Sequence, residues 1–247
     1  MDLGLNGRTA IVCGATSGLG LATAESLAAE GANVAMFGRR RELLEREAER
    51  IGALAVRGDV TNPRHLQTLV DRTLQAFGGL DILVWNGGGP PPGTALDLTA
   101  ESVEQAVELL LVPPVRLLSL CRPHLEASGR GRIVAITSIA ALEPTSHLAL
   151  SNLLRPAVIG WAKSLANELG PKAITVNCVA PGRIATARLE QLYPEGPQPD
   201  DLADIPLGRW GEPRELGDVV CFLASEQARY VTGVTVPIDG GLRRALF

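Results

Sequence analysis

Aromatic residues and long apolar runs are both scarce in this chain of 247 residues. Aromatic side chains make up 4% of it, and no apolar run approaches the ~18 residues that cross a bilayer, so we expect no membrane span. Positive charge is not in excess either: the formal net charge is −4, which argues against a nucleic-acid partner. The first ten residues lack the apolar core of a signal peptide, and we expect a cytoplasmic protein.

Cysteine is also rare, and its spacing excludes two further classes of site. The four cysteines, Cys13, Cys121, Cys178 and Cys221, stand far apart in mostly apolar surroundings. None of the gaps between them matches a metal-binding or a redox motif. We therefore expect reduced cysteines in the core, and no metal site.

A strand, a glycine-rich loop and a helix follow one another near the N-terminus. The apolar run from Thr9 to Cys13 is typical of a buried parallel strand, and it leads into glycine-rich residues 14–20. A helix-forming stretch follows, which Gly31 closes. Glycines let the backbone approach a pyrophosphate, whose negative charge the free N–H groups of a helix start would face. The alternative is a tight turn that binds no ligand.

The second predicted strand, Asn33 to Phe37, is followed by a cluster of cations. An acidic residue after this strand would bind the ribose diol of NAD, whereas Arg39 to Arg41 stand there instead. An arginine at this place suits the 2′-phosphate of NADP, and Arg39 is the candidate. The alternative interpretation of Arg39 to Arg41 is a solvated helix start.

The remaining chain alternates apolar strands with helical segments. This alternation predicts an α/β protein with a doubly wound parallel sheet of about seven strands, covered by helices on both faces. No linker divides the chain, so we expect a single domain over 1–247 with a glycine-rich cofactor half (about 1–130) and a substrate and oligomer half (about 131–247). Further strands are predicted at Leu54 to Arg57, Ile82 to Trp85, Arg132 to Thr137, Thr175 to Val179 and Thr235 to Ile238.

Six segments together resemble the short-chain dehydrogenase/reductase family, especially its 3-oxoacyl-carrier-protein reductase-like branch, nearly from end to end. They are the glycine motif at 13–20, the pair 59–60, the Asn-Ala-Gly-like motif at 85–88, the segment 181–186 and the closing patterns at 230–233 and 238–241. The resemblance implies a Rossmann-type fold that binds NADP(H) in preference to NAD(H). It assigns cofactor binding to Gly14, Thr16, Ser17, Gly18, Leu19, Gly20, Arg39, Asp59, Val60, Asn86, Gly87, Pro181, Gly182, Ile184 and Thr186.

Only one of the family's four catalytic positions has the family's residue in this chain. Ser138 stands where the family has the serine that orients the substrate carbonyl, but Ser151 and Arg155 stand where it has its tyrosine and lysine. The place of the family's helix asparagine falls on Leu110. An alignment slip does not hide the motif, because no Tyr-x-x-x-Lys occurs anywhere in the chain.

The substitutions change the chemistry that the resemblance implies. A serine hydroxyl is a far weaker acid than a tyrosine phenol, and Arg155 stays protonated and cannot relay a proton. Ser151 has a simpler interpretation as a helix N-cap. Because a proline is tolerated in the first turn of a helix, Pro156 predicts that the helix starts close to Ser151 or a few residues later. His147 and Tyr193 are alternative proton donors, with a surface loop and ligand packing as their respective simpler interpretations.

Three functions remain open at this point. The first is an NADP(H)-dependent oxidoreductase with weak or altered catalysis, acting on a small carbonyl or hydroxyl substrate. The second is a cofactor-binding protein without turnover, serving as a sensor or partner subunit, and the third is a homologue that no longer binds nucleotide. The resemblance also implies a homo-oligomer, a dimer or a tetramer, assembled through helices within 100–127 and 151–169 and the C-terminal strand.

Overall fold

A seven-stranded parallel sheet forms the centre of the computed structural model, which describes residues 2–193 and 195–246. Met1, Pro194 and Phe247 lie outside the described residues. The strand order is β3-β2-β1-β4-β5-β6-β7, so the direction of winding reverses between β1 and β4. The strands are β1 (Thr9–Cys13), β2 (Asn33–Gly38), β3 (Leu54–Arg57), β4 (Ile82–Trp85), β5 (Arg132–Ile136), β6 (Thr175–Pro181) and β7 (Thr235–Ile238).

Helices cover both faces of the sheet and enclose two apolar cores. Helices α3, α5 and α6 pack on one face, and α1, α2 and α9 pack on the other. The helices are α1 (Gly18–Ala29), α2 (Arg41–Ile51), α3 (Pro63–Phe77), α4 (Ala100–Leu110), α5 (Val112–Ser128), α6 (Ala149–Leu169), α7 (Ala187–Leu192), α8 (Pro199–Ala203) and α9 (Pro213–Ala224). Short 3₁₀ turns occupy Ala95–Asp97, Ile139–Ala141 and Gly170–Lys172. The Rossmann-type fold predicted from the sequence is confirmed.

The predicted strands match the observed ones within two residues at each end. Their apolar, β-branched residues are buried on both faces, as in β1, β4 and β5, where every residue is buried. Because the strands are parallel, their carboxyl ends meet at one edge of the sheet. The loops after β1, β4, β5 and β6 therefore lie together, beside the point where the winding reverses, which is where ligands bind in such sheets.

Helix α6 begins at Ala149, two residues before Ser151 and close to the predicted start. Two expectations were wrong: Pro156 lies in the helix interior and not in its first turn, and Ser151 lies inside the first turn and is not the N-cap. Tertiary packing outweighs the lost backbone hydrogen bond, because Leu150 and Leu154 are buried against α4. The Asn152 amide adds two hydrogen bonds of 2.9 Å to the backbone of the preceding loop.

The long helical segment after β4 is interrupted at Leu111, which separates α4 from α5. Leu110 is buried in a small cluster with α6, and the four cysteines are buried and free. Burial raises the pKa of the Cys13 and Cys178 thiols to about 12, which keeps them protonated. No helix among the described residues is long and apolar enough to cross a membrane.

Candidate active site and nucleotide cavity

One cavity of about 790 Å³ opens at the carboxyl edge of the sheet. Its volume lies in the range of sites that bind small molecules and cofactors. We call the lining residues before position 131 the first-half wall and those after it the second-half wall. The loops after β1, β2, β3 and β4 supply the first-half wall, and the loops after β5 and β6 with the starts of α6 and α7 supply much of the second.

The glycine loop follows β1 and leads into α1. Gly14 and Gly18 have φ angles of +61° and +56°, in the left-handed region that favours glycine. A Cβ at Gly14 would lie 2.7 Å from the carbonyl oxygen of Asn86, so the close approach of the two loops requires glycine. No side chain caps the start of α1, since the Ser17 side chain makes no cap hydrogen bond. The backbone N–H groups in the first turn of α1 therefore have no side-chain acceptor, and they fit an anion such as a pyrophosphate.

Gly20 is placed differently from the other predicted cofactor residues. It is buried behind the loop and is not on the cavity wall, and a Cβ there would lie 2.3 Å from the carbonyl oxygen of Gly14. Its contribution is therefore close packing of α1 against β1, which supports the loop from behind.

Two arginines after β2 reach the cavity by different routes. The Arg40 guanidinium donates to the Thr16 and Ser17 hydroxyls at 2.7 and 2.6 Å, so a cation lies directly on the glycine loop. The Arg39 side chain is 78% exposed and lies 3.9 Å from the Asp59 carboxylate. Of this pair, Arg39 was the residue expected to bind the 2′-phosphate. The run of three arginines indicates a cation near the cofactor site. The sequence alone does not say which of the three contacts the glycine loop.

The other predicted cofactor residues all line the same cavity. Besides the glycine loop and Arg39, they are Asp59, Val60, Asn86, Gly87, Pro181, Gly182, Ile184 and Thr186. Thr186 caps α7 by accepting from the Leu189 N–H at 3.3 Å, and its methyl group would lie 3.2 Å from a Cβ at Gly18. The segment after β6 thus packs directly against the glycine loop.

Two serine hydroxyls lie on the second-half wall. Ser138 follows β5 and its Oγ accepts from the Ala140 N–H at 3.2 Å, which leaves the hydroxyl hydrogen available for a ligand. Ser151 lies in the first turn of α6 and also lines the cavity. Its Oγ makes no hydrogen bond to the part of the chain that the structure describes. Both hydroxyls can therefore donate to an oxygen of a bound molecule.

Arg155 lies one helical turn beyond Ser151 and is 7% exposed. Its Nη1 donates to the Ile136 carbonyl at 3.1 Å and its Nη2 to the Gly88 carbonyl, so it ties β5 to the loop after β4. Burial, and secondarily the charge of Arg188, lowers the pKa of the Arg155 guanidinium to about 10. Arg155 therefore remains a cation near neutral pH.

The two alternative proton donors are placed differently. Tyr193 lines the cavity and packs against Trp210, with ring centroids 5.7 Å apart, and against the Arg183 guanidinium. His147 is exposed, has a φ angle of +59° and is not among the described residues that line the cavity. Tyr193 therefore packs within its own chain at the cavity wall, and His147 lies on a surface loop.

The strand order, the glycine loop and the cavity at the winding reversal define a protein of the dinucleotide-binding Rossmann class. A family model described as enoyl-(acyl carrier protein) reductase matches residues 14–243. The chain is 35% identical to dehydrogenase/reductase SDR family member 4 of Oryctolagus cuniculus, over 96% of this chain and 94% of the relative. It is 33% identical to 3-oxoacyl-[acyl-carrier-protein] reductase FabG of Vibrio cholerae, over 97% and 99%. The chain belongs to the short-chain dehydrogenase/reductase family and is 3-oxoacyl-carrier-protein reductase-like.

Solved structures of reductases share the whole fold. L-sorbose reductase from Gluconobacter frateurii, complexed with NADPH and L-sorbose, superposes with a TM-score of 0.90 at 31% identity and covers 100% of both chains. YwfH, an NADPH-dependent reductase involved in bacilysin biosynthesis, superposes with a TM-score of 0.92 at 27% identity, over 97% of this chain and 99% of that one. The relatives named here are therefore dehydrogenases or reductases.

Proposed function

We propose that this chain is an NADP(H)-dependent oxidoreductase that interconverts a small carbonyl compound and its alcohol with altered, slow acid–base catalysis. One observation carries the proposal: the glycine loop with Arg40 and the three polar residues Ser138, Ser151 and Arg155 line a single cavity. A nucleotide held by the loop and a substrate held by the serines would therefore share one space. The reductase relatives support the same reaction class.

The residues that would hold the cofactor lie mainly on the first-half wall. The glycine loop fits the pyrophosphate, and Asp59 with Val60 fits the adenine. Arg40 and Arg39 are the cations that fit a 2′-phosphate, and Pro181 to Thr186 fit the nicotinamide end. When bound, the nicotinamide supplies or accepts a hydride.

The chain's own residues would orient the substrate and stabilise charge on its oxygen. The Ser138 and Ser151 hydroxyls hold the carbonyl oxygen by hydrogen bonds, and the buried Arg155 cation stabilises negative charge nearby. A proton reaches the oxygen from a serine hydroxyl or from water in the cavity. Neither donor is as acidic as a tyrosine phenol beside an ammonium, so the rate falls by about 10²–10⁴ relative to a complete family site.

Cofactor preference tests the proposal at the three consecutive arginines. Arg40→Ala removes a cation that would donate charge-assisted hydrogen bonds to a phosphate, so NADPH affinity falls about 10–100-fold while NADH affinity stays constant. Arg39→Ala gives a smaller loss, because this side chain is mostly exposed. Arg41→Ala is the matched control, since Arg41 lies on α2 and faces Glu45 at 4.0 Å. Equal NADPH binding in all four proteins, measured by fluorescence titration, would contradict the proposed role of Arg40.

A second function is a cofactor-binding protein without turnover. The observation that favours it is the engagement of Arg155 with the carbonyls of Ile136 and Gly88, which leaves this residue in a structural role. Transfer of deuterium from 4-deuterated NADPH to a panel of ketones separates the two functions. Label in any alcohol product supports the oxidoreductase, and NADPH binding without label transfer supports the non-catalytic protein.

We further propose a cytoplasmic homo-oligomer, a dimer or a tetramer, in which residues 1–130 chiefly bind the cofactor and 131–247 supply the substrate contacts and, together with α5, the oligomer contacts. Exposed apolar side chains on the expected interface helices support this assembly, since Val115 on α5 is 47% exposed and Leu153 on α6 is 50% exposed. Light scattering coupled to size exclusion measures the mass. A monomer at micromolar concentration would contradict the assembly.

A further inference from the structure

The second-half wall of the cavity carries an excess of positive charge that the cofactor residues do not explain. Four arginines line this wall, and they are Arg155, Arg183, Arg188 and Arg243. The acidic residue on the same wall is Glu143, whose Oε2 accepts from the Arg244 backbone N–H at 3.2 Å. An enclosed wall of this charge favours an anionic ligand, because low-dielectric surroundings strengthen its attraction.

Three of the four guanidiniums already donate hydrogen bonds to backbone carbonyls of the chain. Arg183 donates to the Asp201 carbonyl and lies 3.8 Å from the Asp201 carboxylate, while Arg188 donates to the Pro90 carbonyl at 2.6 Å. Arg155 donates to two backbone carbonyls, although its buried Nε has no partner among residues 2–193 and 195–246.

Arg243 is different, because its guanidinium makes no hydrogen bond and no ion pair with any residue that the structure describes. Its Nε and Nη2 atoms are buried and unpartnered, although a buried guanidinium normally has acceptors. The backbone positions the side chain: the Arg243 N–H donates to the Asp239 carboxylate at 3.0 Å, and Gly240 and Gly241 have φ angles of +64° and +87°. This turn brings the C-terminal tail onto the cavity wall.

We propose that the substrate of this site carries a carboxylate, and that Arg243 binds it. A carboxylate oxygen can accept a charge-assisted hydrogen bond from the Nη1 atom of Arg243, which, unlike Nε and Nη2, is not shielded from solvent. A carboxylate would also offset the repulsion between Arg155 and Arg188 on the same wall. This inference rests on the proposed function, since it names the substrate class of the same cavity: an oxo acid or a hydroxy acid.

The test compares matched acids and methyl esters. Calorimetry measures their affinity for the protein saturated with NADP⁺, using 4-oxopentanoate, 4-oxocyclohexanecarboxylate and 3-(4-oxocyclohexyl)propanoate, each against its own ester. We expect one acid or more to bind at least about 10-fold tighter than its ester, the preference that a charge-assisted hydrogen bond gives. Arg243→Gln reduces the preference to less than about 2-fold, and Arg243→Lys retains part of it because the charge remains.

Arg244→Gln is the matched control, because the neighbouring Arg244 side chain is 80% exposed and faces Asp204 at 3.6 Å. This variant keeps the wild-type preference for the acid. Equal affinity for acid and ester in every pair overturns the proposal, and so does an unchanged preference in Arg243→Gln.

Binding of NADPH distinguishes this inference from the proposed function and from a phosphate as the anion. A loss of NADPH affinity in Arg243→Gln with an unchanged acid preference assigns the guanidinium to a cofactor phosphate and overturns the carboxylate site. If wild-type protein binds no NADPH, the proposed function fails, and the acid and ester comparison is made without cofactor. An acid preference that requires Arg243 then still supports the carboxylate site.

Discussion

The two walls of the cavity carry different groups. The first-half wall carries the glycine loop, Asp59 and Asn86, where the backbone of the glycine loop approaches Asn86 closely. The second-half wall carries Ser138, Ser151 and Arg155, which the proposed function assigns to the substrate oxygen. In that proposal, cofactor binding and proton transfer belong to separable parts of the fold, and one can change while the other is retained.

The largest expected effect comes from giving the second-half wall the family's residues. The double variant Ser151→Tyr with Arg155→Lys places a phenol beside an ammonium in the cavity, and ketone reduction with NADPH accelerates by about 10²–10⁴. Absorbance at 340 nm follows the reaction with 4-oxocyclohexanecarboxylate and with cyclohexanone. Ser151→Tyr alone gains less, because no ammonium lowers the pKa of the phenol. A double variant that binds NADPH and is no faster than wild type would contradict this account of the wall.

A smaller effect is expected directly behind the first-half wall, where the space between α1 and the glycine loop is limiting. Gly20→Ala places a methyl group 2.3 Å from the Gly14 carbonyl oxygen, so the loop must move. We expect a loss of about 1–3 kcal/mol in the free energy of unfolding, together with weaker NADPH binding. Gly79→Ala is the control, since nothing lies within 4 Å of a Cβ there, and its stability stays within about 0.5 kcal/mol of wild type. Urea denaturation measures the free energy of unfolding of both variants. An equal loss in Gly20→Ala and Gly79→Ala would contradict the role of close packing at Gly20.

The fold was largely predictable from the sequence, because the strands are marked by the composition of short segments. Most of the strands are short apolar runs that are buried on both faces, so their composition alone marks them, as in Ile82–Trp85. The interior position of Pro156 in α6 was not predictable, because burial of Leu150 and Leu154 against α4 outweighs the preference of Pro156 for a first turn. That packing depends on residues about 40 positions away in the sequence.

The site residues were predictable where a sequence motif determines the backbone conformation. They were not predictable where a long side chain contacts the cavity from a segment distant in the sequence. Gly14, Gly18 and Thr186 line the cavity, as the family resemblance led us to expect. Arg188 and Arg243 were missed, because the position of Arg243 depends on the turn at Gly240 and Gly241 and no motif marks it. The two adjacent glycines were the available signal for a chain reversal, but not for its direction.

The loop that supports the second-half wall gives a further, moderate effect. Asn152 holds this loop to α6 through two hydrogen bonds to the Thr145 backbone, and Thr145 lines the cavity. Asn152→Ala is expected to lower the free energy of unfolding by about 1–2 kcal/mol. Asn167→Ala, on an exposed part of the same helix, changes it by less than about 0.5 kcal/mol. Thermal denaturation compares the two, and a similar loss in both would refute the anchoring role of Asn152.

The smallest expected effect is a pH-dependent change in Tm at Glu215, in the first turn of α9. Hydrogen bonds from Arg209, and then from the Glu212 N–H, lower the pKa of Glu215 to about 2. A lowered carboxyl pKa stabilises the fold above the ordinary value near 4.5, and this stabilisation is lost as pH falls from there toward 2. Glu215→Gln should therefore lower the Tm at neutral pH and have progressively less effect below about pH 4.5.

The control for this pH dependence is Glu104→Gln on α4, since Glu104 makes no ion pair within the described ranges. Its Tm should follow wild type at every pH. A Glu215→Gln deficit that stays constant down to about pH 2 would show that charge on Glu215 is not the cause.

Titration of the wild-type protein with NADPH and NADH tests the central claim most directly, since the proposed reaction depends on the first-half wall holding this cofactor. Calorimetry is expected to give one site per chain with micromolar affinity for NADPH and at least about 10-fold weaker affinity for NADH, as a cation on the loop implies. Failure to bind either dinucleotide would contradict the account and leave a family fold without its cofactor.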